Sequence, residues 1–176
     1  MYTLITGGLG YVGSVISKEL SKKSKLILLD NLMQGSAGKK IINKNIRFEK
    51  VNILNKTKLE NIFKKFQIEN VIHLAAIVGD PASKKFPKLT IKTNVEGSNN
   101  VLGLAKKYKV KKFIFFSTCS NYGFSKNSKK LNEKSKLNPI SLYAKTKIKF
   151  EKKLIRDKSK ISKIIFSDIY FIWNVT

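Results

Sequence analysis

The sequence of 176 residues predicts a doubly wound α/β fold, a parallel sheet covered by helices on both faces. Short apolar runs of β type alternate along it with longer segments of helical period. Those short runs are apolar at consecutive positions, not at every second one. A strand that shows neither face to water needs no alternation, and that is the condition of a parallel strand between two helical layers. The length suffices for one domain with a real core, and a hydrophobic fraction of 42% is ordinary for a globular chain.

In chain order, Tyr2 to Thr6 reads as a first buried strand. Tyr11 to Leu20 follows as a helix with Val12, Val15, Ile16 and Leu20 on one face, and Lys25 to Leu29 as a second buried strand. Ile46 to Val51 is the third strand. Lys56 to Phe66 is a helix with Leu59, Ile62, Phe63 and Phe66 inward, and Asn70 to Leu74 the fourth strand. One helix from about Leu89 to Tyr108 leads into the strand Lys112 to Phe116. Phe124 to Asn138, rich in Lys, Ser and Asn, is the long loop beyond that strand's carboxyl end, where a substrate-side loop belongs. A helix from about Ser141 to Asp157 precedes a last apolar stretch that begins near Ile161.

The formal net charge is +25, which by itself suggests a polyanionic partner. All but Arg47 and Arg156 of the 36 basic residues are lysines, however, spread over every polar face. Readers of phosphates and base edges lean on the arginine fork, so this composition argues against nucleic acid and for a solvated lysine surface. The most apolar stretch, Ile161 to Val175, is broken by Lys163 and Asp168, and no run reaches the roughly 18 residues of a membrane span. No export signal opens the chain, so a cytoplasmic protein without a membrane partner is expected. Cys119 is the only cysteine, which excludes an intrachain disulfide and a thiolate metal cluster.

Three segments carry chemistry. Thr6-Gly7-Gly8-Leu9-Gly10-Tyr11-Val12-Gly13 lies between a strand and a helix. Gly7 suits the tight turn, Gly10 lets backbone approach a pyrophosphate, and Gly13 permits close packing of helix on strand. Asp30 ends the next strand at the spacing of a ribose-binding carboxylate, where it would accept from both hydroxyls and repel a 2′-phosphate. That favours NAD over NADP as cofactor. Tyr143 and Lys147 stand four apart near the start of a helix, so the ammonium can face the phenol and favour its phenolate. In a chain so rich in lysine that spacing alone is close to chance. Ser117-Thr118-Cys119-Ser120-Asn121-Tyr122-Gly123, however, places hydroxyls at the carboxyl end of the preceding strand, and together the segments fit a hydride-transfer site.

With these stand Val71-Ile72-His73-Leu74-Ala75-Ala76, Asn94-Val95-Glu96-Gly97 and Asn138 to Lys147, in an order and spacing that resembles the NAD-dependent epimerase/dehydratase family of extended short-chain dehydrogenases/reductases, which includes UDP-glucose 4-epimerase. The resemblance covers residue 1 to about 157 and implies a Rossmann-type domain. It implies that the backbone of Tyr11 and Val12 meets the pyrophosphate and that Asp30 and Asn31 meet the adenosine ribose. Leu74, Ala75 and Ala76 would line the cofactor channel, with Asn94 supporting it. Asn52-Ile53 stands near the adenine where the family usually has Asp-Ile or Asp-Val, which is expected to weaken cofactor binding slightly. Tyr143 would be the acid/base, Lys147 would bind the nicotinamide ribose and depress the tyrosine pKa, and Thr118 would replace the usual serine. The substrate implied is a nucleotide sugar, UDP- or another NDP-linked; epimerase, dehydratase and reductase chemistry stay open, as does the sugar. His73 reads as structural and Cys119 as a small, semi-buried packing residue.

In that family the sixth strand leads into a substrate-binding lobe, whereas this sequence diverges over 161–176 and ends at Thr176. Ile165 stands where Arg is common and Phe171 where Gly is expected. The expectation is one cofactor-binding domain over 1–176 with the substrate lobe missing, a truncated product of a premature stop or frameshift in preference to a natural compact form. The alternative is a non-catalytic NAD-binding module or an inactive fragment of such an enzyme. Ile169, Phe171, Ile172, Trp173 and Val175 would leave an apolar edge uncovered, so salt-promoted self-association into a homo-oligomer is also expected.

Overall fold

The strands are β1 (Tyr2–Thr6), β2 (Leu26–Asp30), β3 (Ile46–Lys50), β4 (Ile68–His73), β5 (Lys112–Phe116) and β6 (Ser162–Ile165). In the computed structural model, which describes residues 1–35, 37–123, 135–157 and 162–165, they form one parallel sheet in the order β3-β2-β1-β4-β5-β6. The chain winds outward from β1 to β3, then returns to the other side of β1 with β4. The order reverses between β1 and β4, which opens a crevice at their carboxyl ends.

The helices are α1 (Tyr11–Leu20), α2 (Lys56–Lys65), α3 (Asp80–Lys85), α4 (Pro87–Ile91), α5 (Ser98–Lys107) and α6 (Leu142–Arg156). Leu4, Ile27, Leu29, Val71 and Phe113 pack with Leu59, Phe63, Leu104 and Phe150 from α2, α5 and α6 on one side of the sheet. Ile5, Leu26, Leu28 and Ile72 pack on the other side with Ile16 of α1 and Ile41 of the 3-10 helix Ala37–Ile41. Both faces are therefore dry, and the continuous apolar strands of the sequence have this cause.

Four sequence expectations change. The inward face of α1 is Gly13 and Ser17 with Ile16 beside them, whereas Val15 and Leu20 are 60% and 36% exposed. The reason is proximity: a Cβ on Gly13 would lie 2.2 Å from the carbonyl oxygen of Gly7, so only the smallest side chains fit between α1 and the turn. Strand β4 spans Ile68–His73, two residues earlier at its start than the apolar pattern suggests. The single helix expected from Leu89 to Tyr108 is α4, a π-helical stretch Lys92–Gly97 and α5, preceded by α3. Pro87 disfavours helical backbone at Phe86, which takes φ −127° and ψ 59° and separates α3 from α4. Cys119, read as semi-buried, is exposed, because it sits in a 3-10 turn, Cys119–Tyr122, on the rim of the sheet.

Residues 124–134 of the long loop and the apolar tail from Phe166 to Thr176 lie outside the described residues. Among the described residues no helix is long and apolar enough to cross a membrane, and no group of His, Cys, Asp and Glu could hold a metal.

Candidate functional site

The carboxyl ends of β1, β2, β4 and β5 meet the first turns of α1 and α6 along one edge of the sheet, and the candidate residues gather there. The turn after β1 is built on Gly7, whose φ of +69° is in the left-handed region, and a Cβ there would lie 2.8 Å from the amide nitrogen of Ala75. The segment Leu74–Ala76 thus abuts the glycine turn and borders the crevice, half-buried. Gly10 is the N-cap of α1 and brings no capping side chain, and the first helical bond runs from Ser14 N–H to the Gly10 carbonyl. The amides of Tyr11, Val12 and Gly13 have no partner within the helix and carry the positive end of its dipole. Tyr11 is 82% exposed, so this end opens to the crevice.

Asp30, at the end of β2, accepts from Leu9 N–H at 3.2 Å with one carboxylate oxygen and from Leu32 N–H at 2.8 Å with the other. Each oxygen keeps lone pairs for further donors. The bond to Leu32 also holds that residue at φ 61°, a backbone state that leucine adopts at a cost. Asn31 is exposed and closes its own turn, accepting from Met33 N–H at 3.0 Å. Asn52 does the same beyond β3, accepting from Leu54 N–H at 2.9 Å with its side chain exposed, whereas Ile53 is buried in the core under Gly97. The turn, the open helix end and the carboxylate suit a dinucleotide: amides for its phosphates and an acceptor for its ribose.

Under this edge runs a chain of buried hydrogen bonds that the sequence did not announce. Ala75 N–H donates to Thr6 Oγ1 at 3.3 Å, and Thr6 Oγ1 lies 2.7 Å from His73 Nδ1. His73 Nε2 lies 2.8 Å from Ser98 Oγ, which donates to the Asn94 carbonyl at 2.8 Å. Since Ser98 spends its proton on Asn94, Nε2 must be the protonated ring nitrogen and Nδ1 the acceptor from Thr6. Complete burial holds the His73 pKa down at about 3, with Lys147 adding to the effect, so the ring is neutral. Its role here is structural.

Asn94, in the π-helical stretch and 3% exposed, accepts from Ile77 N–H at 2.8 Å and donates to the Ile77 carbonyl at 3.0 Å. It also donates to Thr146 Oγ1 at 3.0 Å, and Thr146 donates to the Tyr143 carbonyl at 2.7 Å. One side chain therefore fixes the segment after Ala76 to the first turn of α6.

Helix α6 starts at Ser141, whose hydroxyl caps Ala144 N–H at 3.1 Å. Tyr143, Lys147 and Glu151 follow at four-residue steps, and all three are buried. Burial pushes the Tyr143 hydroxyl above its usual range, and a hydrogen bond with the Thr118 side chain works the other way. Thr118 and Tyr143 are thus brought together. The lowered phenol pKa is not found, because Lys147 is turned elsewhere: its ammonium donates to the Phe116 carbonyl and lies 4.1 Å from the centre of the Phe115 ring. Burial brings Lys147 down to about 7, opposed by the charge of Glu151.

Sequence reasoning passed over Glu151. Its Oε2 accepts from Ser117 Oγ at 2.7 Å and from Asn121 Nδ2 at 3.1 Å, and Asn121 Nδ2 also donates to Ser117 Oγ at 3.0 Å. The available signal was a carboxylate at the third step of the Tyr143–Lys147 face, where a solvated residue does not belong.

Comparison with known proteins agrees with this geometry. A family model described as the NAD dependent epimerase/dehydratase family matches residues 3–162. The dTDP-D-glucose 4,6-dehydratase of Dictyostelium discoideum is 41% identical over 162 residues, 82% of this chain and 37% of that protein. The crystal structure of UDP-glucose 4-epimerase with UDP-glucose from Thermotoga maritima superposes with a TM-score of 0.86 at 32% identity, covering 94% of this chain and 55% of that one. The Thermus thermophilus UDP-glucose 4-epimerase complex with NAD superposes at 0.82 and 31% identity, covering 89% and 50%. This chain spans about half the length of those enzymes or less. With the match running through nearly every described element, the chain belongs to the NAD-dependent epimerase/dehydratase family.

Proposed function

We propose that this chain is the NAD-binding part of a nucleotide-sugar epimerase or dehydratase that works by transient hydride transfer at a sugar carbon, with Tyr143 as acid/base. The observation that carries the reading is the pairing of Thr118 with Tyr143 on the helix of Lys147, at the sheet edge that also holds the glycine turn and Asp30. The amides at the start of α1 take the pyrophosphate, Asp30 and Asn31 the adenosine ribose, with Asn52 and Ile53 toward the adenine. Leu74, Ala75 and Ala76 form the channel wall that Asn94 braces. Bound NAD supplies the hydride acceptor and, on the return step, the donor.

Thr118 and Tyr143 would grip the reacting sugar hydroxyl, and the proton would leave to the Tyr143 oxygen. In the present arrangement burial holds Tyr143 as the neutral phenol. To act as base it needs the Lys147 ammonium beside it, so Lys147 must leave the Phe116 carbonyl for the side occupied by the nicotinamide ribose. That Lys147 is turned to the Phe116 carbonyl and not to Tyr143 favours a second reading, a cofactor-binding module without turnover of its own.

Calorimetric titration tests the first reading. NAD is expected to bind about tenfold or more tightly than NADP, the worth of a charge-assisted hydrogen bond, and Asp30→Ala should erase the preference. Equal affinities for the two dinucleotides would reject the assignment of Asp30. Tyr143→Phe should bind NAD as the wild type does while losing about 10²-fold or more of any turnover of a UDP- or dTDP-sugar. An active Tyr143→Phe variant would reject the mechanism, and NAD binding without turnover in the wild type would favour the module.

A further inference from the structure

Glu151 is 4% exposed, on a chain whose surface offers lysines in every direction. A carboxylate withdrawn from water this far needs donors and a countercharge. Its donors are neutral, Ser117 Oγ and Asn121 Nδ2. The cation one helical turn away is Lys147, itself 6% exposed. Among the described residues the direct partners of Lys147 are in turn neutral, the Phe116 carbonyl and the Phe115 ring. The assignment of Asn121 is fixed by its neighbours: Nδ2 has two acceptors, and Oδ1 is buried without a donor among the described residues.

We propose that Glu151 is a positioning residue, held by Ser117 and Asn121, that keeps the Lys147 side chain charged inside the fold and ties the Thr118 turn to the catalytic helix. This rests on the reading of Lys147 as the residue at the nicotinamide ribose. The tie is geometric. Ser117 and Asn121 flank Thr118 on both sides, so the carboxylate that binds them sets where the Thr118 hydroxyl meets Tyr143. The electrostatic part follows from burial, which drives Lys147 toward the neutral amine, and Glu151 is the group that opposes it. The other titratable groups around the site do not replace it. His73 of β4 is neutral, Tyr143 of α6 is a phenol held above its usual range, and Cys119 and Asp80 act on Tyr143.

The test is the titration of Lys147 in the full chain labelled with [¹³Cε]lysine, without NAD, with the signal assigned by its loss in Lys147→Met. Glu151→Gln keeps an acceptor for Ser117 and Asn121 and removes only the charge. The Lys147 midpoint is expected to fall by about one pH unit or more, the effect of losing an opposite charge at this range. Glu151→Asp, which keeps the charge and withdraws it by one methylene, should lower the midpoint by a smaller amount, and it supplies the measurement if Glu151→Gln does not fold. In NAD titrations across pH, the pH above which affinity is lost should move down with the midpoint. An unchanged midpoint in a folded variant of either kind overturns the proposal, whether or not NAD binds. A shifted midpoint in a chain that does not bind NAD supports the charge coupling and overturns the cofactor reading instead.

Discussion

Lys147 and His73 are both pulled toward their neutral forms by burial, and each leaves a signature in the pH dependence of stability. Burial brings Lys147 down from the usual 10.5 of a lysine to about 7, so between those values the unfolded chain holds a proton that the folded chain has lost. Stability from this group therefore rises with pH across that window, with a slope approaching about 1.4 kcal/mol per pH unit, and is flat below it. Lys147→Met should be more stable than wild type at pH 7, and the gain should vanish by about pH 10.5; urea melts at the two pH values measure it. For His73 the window is pH 3 to 6.5, where the unfolded ring is charged and the native ring is not, so stability is lost as pH falls through it. As the sole histidine, its imidazole proton resonance is expected not to titrate between about pH 5 and 8 in the folded protein. Asp30, Tyr143 and Thr118 were legible as residue types at fixed spacings. The direction of the Lys147 side chain was not, because it is set by a carbonyl on β5 that no local pattern specifies.

At the scale of elements, the contact between α1 and the turn after β1 is the tightest joint of the crevice. Gly13→Ala places a methyl against the Gly7 carbonyl with no flexible atom to yield. It is expected to destabilise the fold by about 3 kcal/mol and to weaken NAD binding by moving the α1 amides, both measurable by denaturation and calorimetry. The strands could be read from sequence because burial on both faces writes itself as an unbroken apolar run. The helices were read less well where their packing departs from a greasy stripe. The fully buried residues of α1 are Gly13 and Ser17, which carry almost no hydrophobic signal, and the π-helical stretch that sets Asn94 in place has no periodicity of its own. Glu151 escaped for a related reason: its burial follows from Ser117 and Asn121, which reach it from another element.

For the whole molecule, a formal charge of +25 means that every compact state works against its own repulsion. The ion pairs Lys22–Glu19, Lys107–Glu60 and Lys111–Glu69 at 2.7, 2.5 and 2.6 Å engage exposed lysines, and they relieve little of it. Salt should therefore stabilise this protein: the thermal midpoint is expected to rise between about 0.01 M and 0.15 M NaCl, as the Debye length shrinks from about 30 Å to about 8 Å. A midpoint that falls over that range would show the surface pairs to outweigh the repulsion. The buried chain from Ala75 through Thr6, His73 and Ser98 to Asn94 has a further consequence, in time. It joins residues 67 and 25 positions apart, and Asn94 reaches 52 positions on to Thr146, so it is complete only once β1, β4, the π-helical stretch, α5 and α6 have all docked. A clasp of that kind is a late event in folding, and it opens only with the whole body. The amide protons of Ala75 and Ile77, though they sit in a loop, should exchange with solvent as slowly as those at the centre of β1.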